Sequence, residues 1–200
     1  MIAREINRPS VEDTRERILC AAREIFVLKG PHGTTTREIA DRAGVNEATL
    51  FRHFGSKFAL LDAMKEYHCQ NTEARMALLF ENLSGDLEAD LRAIATSMIE
   101  GMSRNQDLIR VSVFEQAADP NGEHAPMRAP NVIRVHLASF LAKQISEGRL
   151  AGDPEILARV FMGMFFAYVI GRGFWSHDVL DEDAAVEMFV HIFLNGARSR

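Results

Sequence analysis

The chain has 200 residues, 47% hydrophobic and 26% charged, with a net charge of −5; this balance belongs to a folded globular protein and argues against disorder and against a membrane class. Two cysteines, Cys20 and Cys69, are too few for a disulfide framework and form no CxxC pair, which points to a reducing compartment, the cytoplasm by default. Residues 1–60 hold ten Lys and Arg against eight Asp and Glu, a net +2, whereas residues 61–200 hold thirteen against twenty, a net −7, so any nucleic-acid face belongs at the N-terminus.

Met1 to Pro9 mixes charges and has no apolar h-region, so no export signal is expected there. A first amphipathic helix follows Ser10, with Ile18, Ala22, Ile25 and Phe26 on one stripe, and ends at Gly30-Pro31-His32-Gly33. Two short helices fit before Gly55, and a longer one starts after Ser56 with Leu60, Met64 and Tyr67 as its apolar stripe. Helical pattern resumes across Leu87 to Met102 and again across Asp107 to Ala118, followed by a turn-rich stretch from Asp119-Pro120-Asn121-Gly122 to Pro130. A further helix runs from about Val132 to Glu147. Asp153-Pro154 is a helix start, since Asp accepts from open backbone N–H groups and Pro gives up a donor that has no partner there. The most apolar stretch, Val160 to Gly171, is closed off by Arg159 and Arg172 and falls short of the ~20 residues of a bilayer span, so a buried helix is expected and no membrane partner. The last helix begins near Asp181, carries Ala185, Met188, Phe189, Ile192 and Phe193 on one face and ends at Gly196. No repeat and no sustained β-alternation appears. The expected fold is all-α with about nine helices: a helix-turn-helix domain over 1–57, joined by a connecting helix from about 56 to a helical body over 58–200.

The stretch with chemistry in it is Thr34 to Lys57, TTTREIADRAGVNEATLFRHFGSK. Thr35 and Glu38 stand in the relation of a capping box, which fixes one helix start. Ile39 and Ala40 face the core, Gly44 in Ala43-Gly44-Val45 is free to take the left-handed conformation that ends a helix, and Asn46 caps the next helix, Glu47 to about Phe54. Small side chains at Ala40 and Ala43 permit a close helix crossing, with Val45, Leu50 and Phe54 anchoring the second helix from beneath. Asn46, Glu47, Ala48, Thr49, Phe51, Arg52 and His53 are then shared between solvent and a partner. A helix of this kind presents its first residues to base edges in the major groove, while flanking polar groups fix the register on phosphates. Thr49 and His53 can donate to phosphate oxygens, and Lys57 adds charge where a helix N-terminus already favours anions. Ala48 can pack on a thymine methyl and Glu47 can accept from cytosine N4.

This stretch closely resembles the tetracycline-repressor (TetR) family, whose N-terminal pattern is T-x-x-x-I-A-x-x-A-G-V-x-x-x-T-L-Y/F-x-H/Y-F-x-x-K. Thr35, Ile39, Ala40, Ala43, Gly44, Val45, Thr49, Leu50, Phe51, His53, Phe54 and Lys57 match it in one ungapped register. The resemblance implies that Thr36, Arg37, Thr49, Phe51, His53 and Lys57 contact the DNA backbone and that Asn46, Glu47 and Ala48 lie near bases. Where the family often has Tyr, Phe51 offers no hydroxyl to a phosphate. The resemblance further implies a repressor that leaves a pseudo-palindromic operator when a small molecule binds.

The body is rich in Met and Phe, including Met162, Met164 and Phe166. Most of these must be core, but such an interior is also where an apolar ligand pocket is built; Met98, Met102, Phe114, Phe140, Phe161, Phe165, Tyr168 and Trp175 are the candidate lining. Gly163, Ala167 and Gly171 recur every four positions and make a flat strip, so the last two helices are expected to form a homodimer across a two-fold axis. The histidines show no paired metal spacing, and GxSxG, GxGxxG and Walker patterns are missing, so neither metal, cofactor nor enzymatic activity is expected. The alternative is a helical ligand-binding protein or enzyme in which the helix pair is only a scaffold.

Overall fold

The computed structural model describes residues 11–118, 128–175 and 181–197, with the side chains of 11, 12, 114–116, 118 and 172–175 left outside the description. The described residues form eight helices and no strand: α1 (Val11–Gly33), α2 (Thr36–Ala43), α3 (Glu47–Phe54), α4 (Lys57–Glu81), α5 (Leu87–Ala118), α6 (Ala129–Ser146), α7 (Pro154–Trp175) and α8 (Glu182–Ala197). Eight rather than nine arises at α5, where the two expected helices run on as one element across a single non-helical residue, Asn105 at φ −123° and ψ 15°. The Asn105 side-chain amide donates to the Gly101 carbonyl at 2.8 Å, so a backbone acceptor freed by the break is still satisfied. α6 starts earlier than expected, because Pro130 is tolerated in a first turn where its missing N–H has no partner to lose. Asp119 to Met127, most of the turn-rich stretch, lies outside the described residues.

The chain divides into two compact units, one of Met1–Tyr67 with Val111–Pro126 and one of His68–Arg110 with Met127–Arg200. In the first, α1 buries Ile18, Ala22 and Phe26 completely or nearly so, as its stripe requires, and α2, α3 and α4 add Ile39, Ala40, Leu50, Leu60, Leu61 and Met64. Tyr67 does not continue the α4 stripe: it is the last α4 residue of this unit and is 46% exposed. Helical geometry in α1 stops at Gly30, whose φ of 68° and ψ of 165° suit glycine, and Pro31 follows it. The buried Thr34 hydroxyl then donates to the Gly30 carbonyl at 2.7 Å and closes that turn.

The second unit is held by apolar burial along long helices. Leu91, Ile94 and Ile99 of α5, Leu137 and Leu141 of α6, Phe161, Phe165 and Val169 of α7, and Val186, Val190 and Phe193 of α8 form one core. The Phe161 ring meets Phe165 at 5.0 Å and Phe193 at 4.9 Å between centroids, spacings at which aromatic pairs attract. The expected Asp153 cap is present, with the Ile156 amide donating to its carboxylate at 2.9 Å. α7 is buried on one face only: Ile156, Val160, Gly163, Phe166 and Ala167 are exposed. By length and apolarity Pro154–Gly171 would reach across a membrane, yet its inward face is spent on this core. The apolar face expected for α8 is turned. Ala185 and Phe193 are buried but Met188 and Ile192 are more than half exposed, because Val186, Val190, Leu194 and Ala197 supply the inward row instead.

Candidate functional site

In the first unit, two eight-residue helices are stopped and started by their own side chains. Thr35 Oγ1 accepts from the Glu38 amide at 3.2 Å, and the Glu38 carboxylate accepts from the Thr35 amide at 3.0 Å, completing the capping box. Gly44 takes φ 67° and ψ 37° to end α2. Asn46 Oδ1 accepts from the Thr49 amide at 2.7 Å and from the Thr49 hydroxyl at 2.8 Å, which starts α3. Leu50 and Phe54 then point inward, and the Arg15 guanidinium lies over the Phe54 ring at 5.4 Å. Lys29 of α1 ion-pairs with Glu38, and Arg42 of α2 with Glu24. The Lys29 hydrogen bond, followed by those from the Thr35 amide and hydroxyl, lowers the Glu38 pKa to about 2.

Burial of Leu50 and Phe54 leaves the other face of α3 outward. Asn46, Ala48, Phe51 and Arg52 are exposed, as is Arg37 on α2, while Thr36, Glu47, Thr49, His53 and Lys57 are partly buried. Several of these residues already have partners within the protein. The Thr36 hydroxyl donates to the Glu47 carboxylate and joins the starts of α2 and α3. Lys57 Nζ donates to the Thr34 carbonyl at 2.8 Å and lies 5.5 Å from the Phe58 ring centre. The Thr49 hydroxyl is spent on Asn46. Surface chemistry here is one of polar groups held in place by one another, with Arg37, Arg52 and His53 adding donors alongside.

The second unit contains a cavity of about 480 Å³, within the ~300–1,000 Å³ typical of small-molecule sites. Met98, Met102, Ile109, Ile133, Met162 and Phe166 give it apolar walls, and His68, Thr72, Arg75, Asn131, Arg134 and Arg159 are its polar lining. Of the aromatic and Met residues expected to line a pocket, Met98 and Met102 are placed here. Phe161 and Phe165 are not: both are fully buried in the packed core. Tyr168 packs its ring on Phe189 at 5.8 Å, and Phe140 lines a separate, more polar hollow with Phe80, His136 and Gln144. The side chains of Phe114 and Trp175 lie outside the described residues. Arg75 and Gly101 were not anticipated. A Cβ on Gly101 would stand 2.9 Å from Arg75 Cζ and closer still to a terminal nitrogen, so the guanidinium lies directly on the glycine. Burial lowers the Arg75 pKa below the ordinary arginine value, the charge of Arg104 adds to this and that of Glu100 opposes it.

Residues 18–64 match the model of the bacterial regulatory proteins of the tetR family. Over 160 residues the chain is 34% identical to the HTH-type transcriptional regulator YvkB of Bacillus subtilis, covering 80% of this chain and 82% of that protein. It is 42% identical over 166 residues to the HTH-type transcriptional regulator SrpR of Pseudomonas putida, covering 80% of this chain and 73% of that protein. A TetR-family transcriptional regulator from Mesorhizobium loti, solved as a crystal structure, shares 22% identity with a TM-score of 0.73 over 96% of this chain and 100% of that one; at that identity the likeness concerns the fold.

Proposed function

The chain belongs to the tetR family of bacterial regulatory proteins and is a DNA-binding transcriptional regulator; from that premise we propose a cytoplasmic, homodimeric repressor that leaves a pseudo-palindromic operator when a small molecule enters its body. The observation that carries the DNA half of this reading is α3 itself. It is capped by Asn46 and anchored by Leu50 and Phe54, so Ala48, Phe51 and Arg52 face outward. In the proposed complex Asn46, Glu47 and Ala48 meet base edges, while Thr36, Arg37, Thr49, Phe51, His53 and Lys57 meet the backbone. Thr36, Thr49 and Lys57 exchange their internal acceptors for phosphate oxygens. One recognition helix covers too few base pairs for useful specificity, and a two-fold dimer doubles the reading. The exposed apolar residues Ile156, Val160, Met188 and Ile192, with the small Gly163 and Ala167 between them in sequence, support α7 and α8 as the dimer face.

Selection of duplexes from a random pool tests the reading. Two-fold related half-sites are expected to be enriched, and a pool that stays unenriched would overturn it. Light scattering at micromolar concentration is expected to give a dimer; a monodisperse monomer removes the proposed interface. The effector half rests on the body cavity and on α4, which carries Lys57 in its first turn and His68, Thr72 and Arg75 further along. Linkage demands reciprocity, so operator DNA should weaken effector binding by the same factor, ~5–150-fold, by which effector weakens operator binding. Equal effector affinities with and without operator would rule out the switch.

A further inference from the structure

The lining of the body cavity is one-sided in charge. Among the described residues, Arg75, Arg134 and Arg159 line it and no Asp or Glu does, although residues 61–200 carry a net charge of −7. Arg134 is engaged: it ion-pairs with Glu155 and donates to Asn131 at 2.8 Å. Arg75 differs. Its Nε is buried and has no hydrogen-bond partner among the described residues, and the acid whose charge it feels, Glu100, is paired with Arg104 at 3.4 Å. A guanidinium donor left open among Met98, Met102 and Met162 is costly unless a bound group supplies the acceptor. Gly101 is what gives the guanidinium its room at this place, because a side chain there would displace it.

We propose that the effector is an amphipathic carboxylic acid whose carboxylate is received by Arg75 while its apolar portion lies against the Met- and Phe-lined walls. Arginine's planar fork matches a carboxylate by two parallel N–H···O bonds, and the Arg75 terminal nitrogens are held beside Gly101 at the cavity wall. The inference rests on the reading of this cavity as the effector site and adds the class of molecule. A neutral apolar molecule of the same size would fill the walls and leave Arg75 unanswered.

Calorimetric titration of the full chain with decanoate and decanol, and with naphthylacetate and naphthylethanol, separates head from body. At least one acid is expected to bind roughly 10-fold or more tightly than its matched alcohol, the range of a charge-assisted hydrogen bond. Arg75→Gln should bring the acid down to the alcohol's affinity. Gly101→Ala keeps the charge and favours the helix but displaces the guanidinium, so it should cut the acid's advantage and spare the alcohol. It also decides the matter if Arg75→Gln fails to fold. Equal binding of acid and alcohol in the unaltered protein, or an acid preference that survives both substitutions, overturns the carboxylate assignment and leaves the cavity as an effector site. If neither apolar body binds with either head, both readings are overturned.

Discussion

The two units solve the problem of holding a helix in opposite ways. α2 and α3 have eight residues each, too few for a helix to persist on its own, and they are kept by polar ties: Thr35 with Glu38, Asn46 with Thr49, Thr36 with Glu47, Lys57 with Thr34. The body helices run from 16 to 32 residues and are kept by burying Phe, Leu, Ile and Val. Polar side chains are therefore structural in the first unit, and the candidate DNA contacts are drawn from that same set. In the body polar ties such as Asn105 to Gly101 and Arg92 to Glu187 supplement the packing, and the unsatisfied Arg75 Nε lies at the cavity. The candidate DNA contacts are thus tied residues, whereas the candidate effector contact is an untied one.

The largest test of this contrast is Phe161→Ala. Loss of a fully buried ring in the body should cost about 3–5 kcal/mol in denaturant unfolding, and a loss under about 1 kcal/mol would mean that burial is not what holds that unit. Asn46→Ala comes next. It removes the α3 cap and should cost about 1 kcal/mol, with Asn46→Asp retaining most of the stability; equal melting of the two variants would show that the cap is idle. Lys57→Ala is a smaller effect on the fold and a sharper one on DNA: the slope of log affinity against log salt should fall by about 1 with base preference unchanged. A changed preference with an unchanged slope would move α3 away from the groove as placed. Smallest is Glu38. Its folded pKa of about 2 lies below the ordinary 4.5, so its contribution is whole above pH 4.5 and is lost as pH falls toward 2. Proton-detected titration of the carboxyl should give a midpoint near 2 that rises in Lys29→Ala; an unmoved midpoint would dismiss the α1–α2 ion pair as its main cause.

What the sequence made legible follows from the same contrast. The ends of α2 and α3, the left-handed Gly44 and the buried Ile39, Ala40, Leu50 and Phe54 depend on residues a few positions apart, and each stands where spacing puts it. The cavity lining depends on which residues of four helices converge. Phe161 and Phe165 adjoin outward Val160 and Phe166 in sequence but turn into the core, and no local pattern says that Arg75 meets Gly101 across two helices. The buried α8 face lies one row away from the expected one because that helix is apolar on more than one side, which leaves periodicity without a unique answer. Continuity of α5 through Asn105 was hidden for a related reason: a side-chain amide satisfies the break, and polar sequence around it reads as a connector.

The Lys57 to Thr34 hydrogen bond has a consequence in time as well as in place. It spans 23 residues, and the Thr36 to Glu47 tie spans 11, whereas the body joins Arg92 to Glu187 over 95 residues and Ser103 to Glu182 over 79. Closing a short loop sacrifices less chain entropy and is quicker than closing a long one. During synthesis from the N-terminus, the helix pair has every partner for its own ties once Lys57 has emerged. α5, by contrast, must wait for α8 before its ion pair and hydrogen bond can form. The contact distances therefore order the ties: those within the helix pair can close first, and those that join α5 to α8 last.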